Sequence, residues 1–220
     1  MSSVLSDQWS SEMHLGYAKT NAKLSIMLEG GDELVSKMIP YYSALMGVKE
    51  LITSIANKKK EACEKMKKNK ANLYRIIVKV YELSKQYDSN NIGKHSHEAL
   101  FVNKESGNII TSYELRDLKT VSIIIDNLLA MGDDHKLFIN VPKLQMELIK
   151  YNKNLLLVEK CDLQLYDVKS EEALAKSNLC NQLKKNYKRA VSLYGKLVAD
   201  ELFTGHFKPN PISIKEKALA

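Results

Sequence analysis

The sequence predicts an all-α protein: an elongated helical bundle with two long helices, about 41–88 and 142–204, and one candidate β-hairpin near 100–111. Three observations carry that expectation. Apolar residues are 45% and charged residues 27% of the 220, globular values that exclude a disordered chain. Nine Gly and four Pro are too few for a turn-rich sandwich or barrel. Apolar side chains recur at steps of three and four along most of the chain and almost nowhere alternate. Residues 1–204 read as a single helical-bundle domain and 205–220 as an extended C-terminal tail.

The first helix spans Ser6–Leu28, with Trp9, Met13, Tyr17, Leu24 and Met27 on one face. Gly30-Gly31 end it, and Asp32 caps a short segment that Pro40 kinks or restarts. The string Gly30-Gly31-Asp32-Glu33-Leu34 resembles, at four identical residues, the signature loop of diguanylate cyclases. Those enzymes carry that loop on a hairpin of an α/β sheet domain. Here it joins two helical segments, so it reads as a helix C-cap followed by an Asp N-cap.

From Tyr41 to Asp88 one stripe persists: Val48, Ile52, Ile55, Ala62, Met66, Leu73, Ile77 and Val80. No Gly or Pro follows Gly47 there, so a single helix of roughly 65–70 Å is the simplest reading. Within it Asn57–Lys70 holds seven lysines against Glu61 and Glu64. Those lysines point in nearly every direction, with Lys59 and Lys70 on the apolar stripe itself. A helix so wet either protrudes from the bundle or breaks into a hairpin near Asn69, and the unbroken stripe favours protrusion.

Asp88–Lys94 reads as a polar loop. Leu100–Asn103 and Asn108–Thr111 flank a turn and form the hairpin candidate. Thr111 and Glu114 fit a capping box for a helix to Met131, with Leu115, Leu118, Ile125, Leu128 and Leu129 inward. Asp133-Asp134-His135 reads as a turn. Asn140-Val141-Pro142 opens the second long helix, Pro in the first turn where its missing N–H costs nothing. Leu144, Leu148, Tyr151, Leu155 and Val158 continue it, and around Asp167–Ser170 it either restarts or passes through. Cys180, Leu183, Tyr187, Ala190, Tyr194 and Leu197 then make a heptad-like, coiled-coil seam, ended by Gly205. Tyr74, Tyr81, Tyr151, Tyr187 and Tyr194 lie on these stripes, their hydroxyls suited to the bundle edge.

Charge is segregated. The net +7 divides into +5 over residues 1–95, −3 over 96–180 and +5 over 181–220. Lys58, Lys59, Lys60, Lys65, Lys67, Lys68 and Lys70 are therefore candidate contacts for an anionic partner, either nucleic acid or a lipid surface. Lysine acts there as a point charge, without the arginine fork or aromatic stacking of specific recognition. In the tail, Phe207, Pro209, Pro211, Ile212 and Ile214 are candidate docking residues for a protein partner.

Motifs for chemistry are missing from the sequence. No Glu has a His three residues on, which argues against a carboxylate-bridged di-metal site. His95 and His97 offer two ligands beside Glu98, fewer than a metal centre needs. No phosphate-binding, dinucleotide, nucleophile-elbow or zinc-protease pattern occurs. Cys63, Cys161 and Cys180 are odd in number and form no CxxC pair, and they read as small buried side chains in a reducing compartment. No secretory signal or 18-residue apolar run is seen. The expectation is a cytoplasmic protein, or a soluble part of a macromolecular assembly, with no catalytic residues, no cofactor and no metal. It acts as a non-enzymatic structural or adaptor protein through its long helices and tail, with self-assembly or a protein partner favoured. The alternative is a binder of nucleic acid or anionic membrane through residues 57–70.

Overall fold

A computed structural model describes residues 9–91, 94–103, 107–108, 110, 115 and 117–204. It is all-α, with six α-helices among the described residues: α1 (Ser11–Ser25), α2 (Gly31–Asn90), α3 (Ser96–Leu100), α4 (Leu118–Ala130), α5 (Val141–Tyr194) and α6 (Lys196–Thr204). The two long helices are α2, 60 residues, and α5, 54 residues. Contacts divide the chain into two compact units. Unit 1 holds Met1–Asn57 and Leu163–Ala220, and unit 2 holds Lys58–Asp162.

In unit 1, Ala18 of α1, Leu34, Met38 and Leu45 of α2, Ala175, Leu179, Cys180, Leu183 and Ala190 of α5, and Leu202 and Phe203 of α6 form the core. The start of α2 and the end of α5 run antiparallel. Asn186 donates to the Leu34 carbonyl at 2.7 Å, and Arg189 reaches Glu33 at 3.2 Å. The Tyr194 hydroxyl donates to the Glu29 carbonyl and that of Tyr187 to Asp200, as expected of tyrosines at a bundle edge.

Helix α1 is shorter than expected, and its predicted face turns inward only in part: Trp9, Tyr17 and Leu24 pack half-buried against the core. Ser10 caps it, accepting from the Met13 amide. Its buried residues are Ser11, His14, Ala18, Asn21 and Ser25, while Met13 and Met27 are exposed. Small and polar groups on this face let α1 approach α6 closely, and some find partners, although His14 Nε2 and Ser25 Oγ are buried without one among the described residues. Asn21 donates to the Leu202 carbonyl, Tyr17 to that of Phe203, and Ser11 to Glu172 of α5.

Pro40 neither kinks the chain into a new helix nor ends one. It lies inside α2 on the exposed side, where water can solvate the carbonyl its missing N–H leaves free. Asp32 sits in the first turn of α2 rather than capping it. Gly30 takes the left-handed conformation at φ 75°, and Gly31 opens α2 against the Ser25 carbonyl.

In unit 2 the stripe predicted for α2 is inward: Ala62, Leu73, Ile77 and Val80 are buried and Met66 is half-buried. Leu73, Ile77 and Val80 pack with Leu100, Phe101, Val121, Ile124, Leu128, Val141 and Leu144. Leu129 is exposed, against expectation, because α4 turns Asn127 inward instead. Asn127 donates to the Leu100 and Val102 carbonyls at 2.9 and 3.1 Å. The hairpin candidate is reduced to a short pairing, Asn103 amide to Asn108 carbonyl and Ile110 amide to Phe101 carbonyl, and no sheet forms among the described residues. The capping box at Thr111–Glu114 lies outside the described residues, and α4 begins at Leu118 with Asp117 as its cap.

Helix α5 passes through Asp167–Ser170 without a break. It stops at Gly195, with φ 81°, ten residues before the expected Gly205. The seam from Cys180 to Tyr194 is inward or half-buried, but Leu197, beyond that break, is 75% exposed.

Candidate interaction surfaces

In unit 2 the lysine segment is neither a protrusion nor a hairpin. It is continuous helix, and α5 covers its inner side. Ala62 and Asn69 are buried, and Lys59 bonds Asp162 at 2.5 Å. Asn69 donates to Glu147 at 2.9 Å and accepts from Asn154 at 3.2 Å. The apolar stripe is continuous because it has a helix to face. Lys58, Lys60, Lys67, Lys68 and Lys70 are exposed and make no ion pair among the described residues, while Lys65 lies 4.0 Å from Glu61. Six of the seven lysines thus remain on the surface, and Lys59 is partly spent on holding α5.

Beside them lies a groove of about 440 Å³, walled by Lys65, Lys68 and Lys150, with Asn72, Glu147 and Asn154 among its lining. Glu147 is 8% exposed. Lys150 donates to it at 2.8 Å, and Asn69 and Asn72 donate to its other oxygen. The Lys150 ammonium first, then the Asn69 amide, hold its carboxyl down at about 2. A carboxylate so fully satisfied is ionised at neutral pH, with no proton to give. It joins the two helices at one register, as a polar group inside an apolar seam does.

Ser84, His97 and Asp88 have the residue types of a hydrolase triad but not its geometry. Asp88 accepts from the backbone amides of Ser96 and His97 at 2.9 and 2.7 Å, capping α3 rather than orienting the imidazole. Ser84 is fully buried and donates to the Tyr81 carbonyl, so His97 Nδ1, 2.8 Å away, must carry the proton of their shared bond. The ring lies between Tyr81 and Phe101, and burial pushes its pKa down. This is a packing cluster. His95 lies 3.6 Å from Glu98 and apart from that bond. Among the described residues no group of three His, Cys, Asp or Glu side chains could hold a metal ion.

Unit 1 carries a feature that periodicity did not reveal, an apolar groove of about 240 Å³ between α1 and the start of α2. Its lining includes Ala18, Ala22, Ile26, Met38, Ile39 and Tyr42, with Lys19 and Lys23 along the α1 margin. The signal was there in Ala18 and Ala22, one helical turn apart and opposite larger residues, but it needs the hairpin of α1 and α2 to acquire meaning. The tail candidates Phe207, Pro209, Pro211, Ile212 and Ile214 lie outside the described residues.

No disulfide joins Cys63, Cys161 and Cys180, of which the last two are buried. Among the described residues no helix is long and apolar enough to cross a membrane. Comparison with protein-family models, curated proteins and solved structures yields no match to this chain.

Proposed function

We propose that the protein is a non-enzymatic structural or adaptor protein, making protein–protein contacts in an assembly through its long helices and C-terminal tail. The observation that supports this reading is the outward side of α5. In unit 2 it leaves Met146, Ile149 and Leu156 half or more exposed, and in unit 1 Leu163, Tyr166 and Leu174. Single apolar residues on a surface are ordinary. Side chains this large, repeated at steps of three, seven and eight on one helix, are a surface suited to a partner. The satisfied state of Glu147 and of Ser84–His97 gives further support, since neither group is poised for acid–base or nucleophilic work.

The test is assembly in the native context. Aspartate at Ile149 and Leu156, or removal of residues 205–220, is expected to abolish the complex while the helical circular dichroism stays unchanged. A complex that forms normally with both changes would refute the reading.

A second reading, binding of nucleic acid or anionic lipid by residues 57–70, is supported by the five exposed lysines that make no ion pair among the described residues. Its test reverses Lys58, Lys60, Lys67 and Lys68 to Glu, sparing Lys59 because it bonds Asp162. If DNA, RNA and phosphatidylserine vesicles bind the reversed protein as they bind the original, that reading fails.

A further inference from the structure

We propose that the groove between α1 and the end of α6 is the docking site for this chain's own C-terminal tail, with Phe207 seated beside Trp9 and Met13. The inference goes beyond the adaptor reading: it gives the tail a place on its own chain, which a partner of the tail would have to displace.

The groove has a volume of about 410 Å³. Trp9, Met13, Gly16 and Thr20 line it at steps of four, three and four, and Leu202 and Thr204 line it from α6. Met13 is 52% exposed, and nothing lies within 4 Å of where a Cβ on Gly16 would be, so the α1 side is open. Trp9 is half-buried and gives the groove an aromatic rim. Its ring meets that of Tyr17 edge-on at 5.7 Å, and Tyr17 in turn lies 6.5 Å from Phe203.

Direction, reach and chemistry choose the occupant. Asn21 donates to the Leu202 carbonyl and Tyr17 to that of Phe203, so one residue forward on α6 is one turn back on α1. A chain continued past Thr204 in that direction meets Met13 and then Trp9. Trp9 precedes Tyr17 by eight residues, about 12 Å along a helix. Phe207 follows Phe203 by four, up to about 13 Å of extended chain, which brings its ring level with Met13 and Trp9. The described lining carries no charged side chain. The segment Gly205–Ile214 suits it, with one full charge at Lys208 among Phe207, Pro209, Pro211 and Ile212. A ring placed beside Trp9 and Tyr17 gains edge-to-face packing as well as burial. Residues 1–8 hold no aromatic side chain, and they join the groove at Trp9 itself, so they would have to fold back over it.

The test reads the fluorescence of Trp9, the single tryptophan of the sequence, in the full chain. Phe207→Ala should shift its emission to longer wavelength and raise its quenching by acrylamide, equally at protein concentrations from about 1 to 100 μM. Met13→Glu places a charge in the groove at an exposed position, with circular dichroism checking that the helices remain. Chymotrypsin should cut after Phe207 about tenfold faster in that variant than in the original, the weight of one apolar contact in a local docking equilibrium. Emission and quenching indifferent to Phe207→Ala overturn the proposal, and that arm stands even if Met13→Glu does not fold. Equal cleavage of a folded Met13→Glu and the original overturns it too. A Trp9 uncovered by Leu5→Ala but not by Phe207→Ala overturns it in favour of residues 1–8. Shielding that grows with protein concentration overturns it in favour of the tail of a second copy. None of these readouts needs a partner, so the α5 variants decide the adaptor reading separately.

Discussion

Two glycines show how much a single Cβ can matter. A Cβ on Gly31 would lie 1.8 Å from the Ser25 carbonyl oxygen, a backbone atom that cannot step aside. Gly31→Ala should therefore cost about 3 kcal/mol, read as a lower urea midpoint. Gly47 sits within α2 with nothing inside 4 Å of the same position, so Gly47→Ala should raise stability by about 0.5–1 kcal/mol through backbone entropy alone. His97 makes the residue-scale case for pH. Burial lowers its pKa in the folded chain, so the folded state binds fewer protons than the unfolded one near pH 6. Its contribution is complete above the ordinary histidine pKa of about 6.5 and is lost as pH falls through the lowered value. His97→Phe, which cannot protonate, should flatten a urea-midpoint profile between about pH 7 and pH 5. A profile of unchanged slope would place the titration elsewhere.

At the scale of elements, α2 carries Pro40 at a place where its cost falls on solvent. Pro40→Ala restores a backbone bond without new burial, and a gain of about 1–2 kcal/mol in thermal unfolding is expected. The Asn69–Glu147–Asn154 network works differently, since its polar atoms are inside the seam. The carboxyl of Glu147 sits at about 2 against an ordinary 4.5, so its stabilisation is present above about pH 4.5 and drains away toward pH 2. Glu147→Ala should cost about 2 kcal/mol at pH 7 and less near pH 2, because the part that comes from the charged carboxylate's bonds to Lys150 and the two amides is gone there in the original protein too. Helical periodicity made most of α2 legible, and Ile55, Ala62, Leu73, Ile77 and Val80 are all buried as their spacing required. It read α1 only in part, because a rule that looks for large apolar side chains finds Tyr17 and Leu24 but does not see an interface built on Ser11, Ala18, Asn21 and Ser25. It also overlooked Gly195, which carries no Pro or polar cluster to mark it, although its φ of 81° admits few other residues.

For the whole molecule, the net +7 is a statement about partners before it is one about stability. Reversing Lys58, Lys60, Lys67 and Lys68 should shift the unfolding free energy by no more than about 0.5 kcal/mol, since none is in an ion pair among the described residues. Lys59→Glu should lower the melting temperature clearly more, because it sets two carboxylates together where one ion pair stood. A thermal melt of the two variants side by side distinguishes surface charge held for a partner from charge that serves the fold. Neither the lysine segment's role nor the groove at Ile26 could be settled by spacing, since both depend on which residues from distant parts of the chain come to lie opposite.

What the sequence by itself determined is the class of structure. Helical repeats of three and four residues, scarce Gly and Pro and a continuous stripe along α2 leave only an all-α chain with two long helices, because burying that stripe is the one large gain available to it. It also determined that the lysines would be mostly exposed, for a helix cannot bury charges on every side. The tertiary structure alone decided what each stripe faces: that α5 covers the lysine segment, that Glu147 and Asn69 meet across two helices, and that α1 turns small polar residues inward and leaves Ile26 and Ile39 outside. Periodicity is a local property of one helix, whereas a partner is chosen by register and close approach between segments a hundred residues apart.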